Sequence, residues 1–415
     1  MANTYFIHVV SKSDNAKHAS YPFTFDPTTS PLAPSSVRVQ TKLISLTSNN
    51  LSYARGGDQL HWWDAYPVPQ SSPAPYNNQQ EWGIVPAWGY GRVLESTVDG
   101  IVPDSLLWGM WPTSAHPVDL QLKPQPEAPG NWIETSAHRA SLMTIYSNYE
   151  QVAAPLDIQT MQLRTLCKPQ HAAPHLLNKI TFSATHKVHP LGFGGPWSEA
   201  EASLTNAVVV SLSASSKTGR CFHWELARNR AVEHDGPLAL LQVTSVPDTL
   251  SKFSSALPIS NVSYGDLDDG LNRVVECKPS RAVVVDFGAP DAVLQSTVES
   301  LKEGSITVQI LAVGSEAKIY TPEELKLRLE RSVSKVQVNA SGLRDQAIAA
   351  KGFVESNRDL DEARERCLAD GTFRYMAIKS VQGVQGQSGL EGVWSDLCNR
   401  KVDPSTGIVV SLSDN

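Results

Sequence analysis

The sequence is poor in the residues and runs that usually announce a particular chemistry. Its five cysteines, Cys167, Cys221, Cys277, Cys367 and Cys398, lie far apart, with no CxxC pair and no tight Cys/His cluster. Neither a structural zinc, nor another metal site, nor a disulfide framework is expected from that spacing. His138, His171, His175, His186 and His189 share one stretch, but no HExxH occurs, and surface or loop positions are expected for most of them. A GxSxG elbow is missing too, so a hydrolase triad has no anchor. No run approaches the roughly eighteen apolar residues of a membrane span, and Met1 to Asp14 lacks the basic-then-apolar pattern of a secretion signal. The expectation is a cytoplasmic protein that does not engage a membrane. An excess of positive charge is lacking as well: 35 Lys plus Arg against 42 Asp plus Glu give a net charge of -7. That leaves no broad cationic field for nucleic acid or anionic lipid, so no nucleic-acid partner is expected.

What is present fits a folded chain of two or three domains, since 415 residues with 41% apolar content supply ample core at about 150 residues per domain. The first half alternates in short stretches: 37–43 has the period-2 pattern of a strand, and 91–96 follows a Gly-rich turn. Between them, 67–80 is a Pro/Ser/Gln/Asn stretch expected to be a mobile surface loop. Over 136–149 the pattern predicts a helix with Ser136 as its N-cap. From residue 205 the character changes. Continuous apolar runs at 207–212, 238–243, 282–286 and 306–313 alternate with helical segments at 217–230, 290–301 and 322–333. Such runs suit strands buried on both faces, and strand, helix, strand in repetition predicts a doubly wound parallel sheet. A charged helix around 360–369 and a last apolar strand at 407–412 follow.

Three groups of residues carry candidate chemistry. Ser213, Ala214, Ser215, Ser216, Lys217 and Thr218, followed by Gly219, connect the first buried strand to its helix. There the helix N-terminus offers free N–H groups and its positive dipole end, so a pyrophosphate is expected at this turn. The GxGxxG fingerprint is absent, with Gly219 alone near the third glycine, and Lys217-Thr218 lacks the glycines of a phosphate-binding Walker loop. An ordinary Ser-capped helix start is the alternative. At the end of the next strand, Thr244 and Ser245 with Lys252 occupy the place where NAD binders carry an acid, pointing to NADP, although Asp248 stands nearby. The third group, 49–57, contains Asn49, Tyr53 and Arg55, with His61, Trp62, Trp63 and Tyr66 close behind as walls for an aromatic pocket. A packed loop tyrosine among core tryptophans is the alternative there.

A β-rich first half, a doubly wound second half and a closing strand resemble the medium-chain dehydrogenase/reductase plan. That likeness implies an α/β fold, with a β-rich GroES-like domain over 1–165 completed by 336–415, and a Rossmann-type domain over 166–335. The segment around Tyr53 resembles the NPxDYxxRxG motif of quinone reductases, one residue shorter before the glycine. The likeness implies that Tyr53 borders the nicotinamide as proton donor, with Asn49 and Arg55 orienting. Tyr264, Gly288 and Val313-Gly314 resemble the strand ends that line the cofactor crevice. Nearly the whole chain is similar to a poorly characterised family of medium-chain reductase-like proteins of unknown function, in which a Ser-Ser-Lys-Thr turn replaces the glycine fingerprint. Segments 46–54, 85–91, 107–112, 138–142, 146–149, 212–218 and 402–407 carry that similarity. An insertion at 69–80 departs from it and is placed to cover or reshape a substrate site.

Taken together, these readings lead to a zinc-independent NADPH-dependent reductase of an activated C=C or C=O (enone, quinone or polyketide-type intermediate), free or carrier-bound, in secondary metabolism. The rivals are a redox-neutral isomerase, lyase or cyclase on the same scaffold, and a non-catalytic partner of a carrier protein or larger synthase. The resemblance also implies a homodimer paired through the apolar strand at 305–313.

Overall fold

The computed structural model describes residues 2–153, 155–193, 197–314 and 335–413. The chain forms two compact units: it leaves the first after Leu166 and returns to it at Ile378.

The first unit opens with strands β1 (Asn3–Ser11), β2 (His18–Phe25), β3 (Ser36–Leu46), β4 (Trp82–Gly83), β5 (Pro86–Ser96), β6 (Leu106–Pro112), β7 (Val118–Pro124), β8 (Asn131–Glu134) and β9 (Asn148–Gln151). In the large sheet the order β3-β5-β6-β9-β8-β7 runs back onto β3, where Ser36 to Val39 pair with Gln121 to Val118. Six strands thus close into a barrel, which removes the exposed edges that an open sheet must protect. Its inward positions, including Val37, Val39, Val93, Leu107, Trp111 and Leu120, belong to one buried cluster. β1, β2 and β4 form a separate three-stranded sheet.

The second unit is built on β10 (Ala207–Leu212), β11 (Ala239–Thr244), β12 (Ile259–Ser263), β13 (Arg281–Asp286), β14 (Thr307–Ala312) and β15 (Val336–Gln337). They are parallel, in the order β12-β11-β10-β13-β14-β15, the doubly wound arrangement with its order reversing at β10. The continuous apolar runs have a simple cause. Ala207 and Val209 face one core, Val208, Val210 and Leu212 face the other, so every position of β10 but Ser211 is apolar. The last strands, β16 (Ala377–Gln382) and β17 (Thr406–Ser411), belong to the sheet of the first unit, β17 pairing with β3 at Leu43 to Leu46. The α/β fold is therefore a β-rich GroES-like barrel plus a doubly wound Rossmann-type sheet.

Four sequence expectations are corrected. Residues 136–149 are not one helix but two short 3-10 turns, Ala137–Arg139 and Thr144–Ser147, leading into β9. The buried Arg139 guanidinium donates to Ala65 O at 3.0 Å and to Tyr149 Oη at 2.8 Å, and Tyr149 is needed in the strand that closes the barrel. The loop at 67–80 lies on the surface as expected, most of its residues being exposed, but it is anchored: Val68 and Ser72 are buried, Tyr76 stacks on Tyr21 at 5.1 Å, and Gln79 Nε2 donates to Val68 O at 2.6 Å. His171 and His175 are core residues of the helix Ile158–Leu176, which forms despite Pro169 and Pro174. Cys167, Cys221 and Cys367, remote in sequence, bring their sulfurs within 4.8 Å of one another in the second unit. The helix expected at 322–333 lies outside the described residues. No helix among those described is long and apolar enough to cross a membrane.

Candidate functional site

Tyr53 sits on the helix Ser48–Arg55, which Thr47 starts with a capping box: its side chain caps the helix while the Asn50 side chain returns to the Thr47 N–H. Asn49 and Tyr53 are one turn apart on the same face, and Asn49 Nδ2 donates to Tyr53 Oη at 2.8 Å. Trp88 on β5 donates its Nε1–H to the same oxygen at 2.9 Å. A phenol oxygen has two acceptor positions and one proton. With both acceptor positions taken, the Tyr53 hydroxyl can act only as a donor, and its neighbour on that side is the Tyr146 hydroxyl. Burial first, and then the phenol of Tyr146, push the Tyr53 hydroxyl well above the usual tyrosine range. It stays protonated at neutral pH. The ring of Trp62 lies 4.7 Å from that of Tyr53, and Tyr146 closes the group edge-on at 6.0 Å.

The other residues expected here divide among three places. Arg55 is exposed at the helix end, two residues beyond Tyr53 and so off its face. Tyr66 turns away, donating to Met110 O at 2.5 Å and lying 3.0 Å from Tyr149 Oη. Arg139 sits 4.5 Å over its ring. Trp63 walls a cleft of about 330 Å³ with Lys12, Asp64, Gln79, Gln80 and His138; Tyr53 is not among its walls. The insertion thus supplies part of this cleft through Gln79 and Gln80. His61, in a left-handed conformation at φ 61°, is partly exposed and pairs Nδ1 with Asp64 Oδ2 at 3.0 Å. Trp88 and Tyr146 were missed as site residues by sequence reasoning, although both lie in the segments that carry the family similarity.

In the second unit the expected cofactor residues gather at the C-terminal ends of the parallel strands. Ser213 follows β10 with φ 56°, the left-handed region that costs a non-glycine residue roughly 1–2 kcal/mol. Its Oγ lies 3.0 Å from Tyr264 Oη, and Ser215 Oγ lies 2.6 Å from Thr244 Oγ1. Two serines therefore tie the turn to the ends of β11 and β12. Ala214 is buried, and Ser216 caps the helix Lys217–Asn229 by accepting from Gly219 N at 3.1 Å. A Cβ on Gly219 would stand 2.8 Å from Ala214 O, so the helix can approach the turn only because this residue is glycine. Thr218 Oγ1 donates to Gln170 Oε1 at 2.7 Å. Lys217 is half-buried, and burial followed by the charge of Arg220 lowers its ammonium to about 8.

Thr244 is buried and engaged by Ser215, which leaves Ser245, Asp248 and Lys252 among the exposed groups after β11. Past β13, Asp286 Oδ1 accepts from the N–H groups of Gly288 and Ala289, each at 2.9 Å. Val313 and Gly314, just after β14, donate to Asp286 O at 2.9 and 3.2 Å. A helix start with Lys217 as its first residue is the kind of position at which a phosphate could be held.

A family model described as "Protein of unknown function (DUF2855)" matches residues 44–403. No curated protein sequence matches the chain. Among solved structures, CurA from Vibrio vulnificus in complex with NADPH is similar with a TM-score of 0.54 at 9% identity, covering 99% of this chain and 100% of that one. The complex of Etr1p with NADP and crotonyl-CoA gives 0.50 at 11% identity, covering 99% and 100%. The mitochondrial 2-enoyl thioester reductase Etr1p/Etr2p heterodimer from Candida tropicalis gives 0.50 at 9% identity, covering 99% and 100%. At these identities the likeness is one of fold. It agrees with the barrel and the doubly wound sheet found here, and the family match extends over most of the chain: the protein belongs to the DUF2855 family and has a medium-chain reductase fold.

Proposed function

We propose that this protein is an NADPH-dependent reductase of an activated C=C bond, with conjugated carbonyl compounds and enoyl thioesters as its substrate class. The observation that carries the reading is the Tyr53 hydroxyl, held by Asn49 and Trp88 so that it can only donate. Reduction of an enone or enoyl thioester builds negative charge on the carbonyl side, and an enolate is a stronger base than a phenolate. A phenol kept protonated by burial suits that charge as hydrogen-bond donor and proton source. Tyr146, next to it, would pass the proton on.

The turn at 213–219 would hold the cofactor pyrophosphate through helix-start N–H groups and Lys217, with Ser245 and Lys252 near the ribose phosphate that distinguishes NADPH from NADH. Bound there, NADPH supplies a hydride to the substrate. Similarity in fold to CurA with NADPH and to Etr1p with NADP and crotonyl-CoA supports this reading. The test is NADPH consumption with short 2-enoyl thioesters, enones and quinones, comparing the native protein with Tyr53→Phe.

A homodimer belongs to the same reading. Among the described residues only Leu311 and Ala312 of β14 pair outward, with β15, and an open strand edge is a surface for a second copy. Light scattering showing a monomeric mass would contradict it.

A redox-neutral lyase or isomerase is the second reading. It is favoured by the side chains of Ser213 and Ser215, which fill and bridge the turn where glycines would leave bare backbone. That reading expects substrate turnover with no change in nicotinamide absorbance.

A further inference from the structure

We propose that Cys167, Cys221, Cys367 and His171 form a buried zinc site in the second unit. The three thiols come from three helices, Ile158–Leu176, Lys217–Asn229 and Phe353–Ala369. All three are fully buried, none is in a disulfide, and their sulfurs lie within 4.8 Å of one another. Tetrahedral Zn–S bonds of about 2.3 Å set neighbouring sulfurs about 3.8 Å apart, so closing the three sulfurs on an ion needs a contraction of about 1 Å at most, while neither nitrogen of His171 lies within 4.8 Å of all three sulfurs and the ring has to move in as the fourth ligand.

The second observation is His171, one turn beyond Cys167 on the same helix face. It is fully buried, and neither of its ring nitrogens makes a hydrogen bond among the described residues. Its Nε2 stands 3.1 Å from Glu225 Oε1. A carboxylate this close to one ring nitrogen favours the N–H there and a lone pair on the other, the form in which imidazole binds metal. Glu225 is itself held in place by His175 Nδ1 at 2.9 Å, Asn178 Nδ2 at 3.1 Å and Asn229 Nδ2 at 2.9 Å. Packing alone accounts for three small buried thiols, but it leaves a bare buried imidazole nitrogen unexplained. Three thiolates and one imidazole are a donor set that suits zinc. Binding releases the thiol protons to solvent. Because the site is closed, the ion is acquired as the unit folds, tying three helices together.

The test is metal analysis of the full chain purified under reducing conditions without chelator, paired with expression in cobalt-supplemented medium. Stoichiometric zinc is expected, and cobalt should give near-ultraviolet thiolate charge-transfer bands with tetrahedral visible bands. Both should persist in Cys277→Ser, whose thiol is exposed and outside the cluster, and be lost in Cys221→Ser. Cys367→His keeps a ligand and should retain the metal with a shifted spectrum, which separates loss of ligand from loss of fold. A folded wild-type protein free of metal, a disulfide within the cluster, or cobalt bands unchanged in folded Cys221→Ser would overturn the assignment. Wild-type metal content decides the matter even if the variants do not fold.

Discussion

Asn49 and Tyr53 are joined side chain to side chain across one helical turn, amide to phenol at 2.8 Å, and this pairing fixes which way the Tyr53 proton can go. Tyr53→Phe removes the proton source and keeps the ring. Loss of a general acid typically costs 10²–10⁴-fold, so kcat for enoyl reduction should fall by about that range while NADPH affinity stays the same. Steady-state kinetics and a cofactor titration check both halves. An unchanged kcat would remove Tyr53 from the chemistry.

Gly219→Ala puts a methyl group 2.8 Å from a backbone oxygen. Overpacking of this kind costs about 1–3 kcal/mol, and the displaced helix start should also weaken NADPH binding. Chemical denaturation with and without cofactor measures each effect. Equal stability and equal affinity would mean that the helix does not need its close approach to the turn.

The lowered ammonium of Lys217, at about 8 against an ordinary 10.5, has a defined sign. Between those values the unfolded chain binds the proton and the folded chain does not, so this group makes stability rise with pH from about 8 to 10.5. Below that window it is a constant penalty. Lys217→Met should therefore raise stability at pH 7 and flatten the rise, measured by denaturant melts across the range. NADPH affinity of the native protein should fall as pH passes about 8, because the phosphate loses its cation.

Arg139 neutralises Glu134, a buried carboxylate 3.6 Å away, while bonding Ala65 O and Tyr149 Oη. Removing one member of a buried ion pair typically costs 3–5 kcal/mol. Arg139→Met should lower stability by about that amount, and Glu134→Gln in the same background should restore part of it. Additive losses in a double-mutant cycle would show that the two are not coupled.

The sequence made the second unit legible because strands covered on both faces are apolar at nearly every position, as Val208, Val209 and Val210 are. The turn at 213–219 was legible for the same reason: it had to lie between a buried strand and its helix. The region around Arg139 was not. Its helical pattern is overridden by one buried guanidinium and by the need for Tyr149 in a strand, both set by residues distant in sequence. The cysteine cluster was hidden because each of its three helices contributes one thiol, and no spacing within any one segment records the meeting. At the Tyr53 group, the motif likeness named Asn49 and Tyr53 together, but the helix that pairs them, Ser48–Arg55, was not read from the sequence. Trp88 reaches the same oxygen from β5, a contact no local pattern encodes.

The most direct measurement is a parallel titration of the purified protein with NADPH and NADH, followed by thermal stability and nicotinamide fluorescence. A ligand at 100 times its dissociation constant adds about 2.7 kcal/mol. Stabilisation by NADPH, with a much weaker effect of NADH, is the expected result; no response to either at millimolar concentration would contradict the reductase reading and leave redox-neutral chemistry in its place.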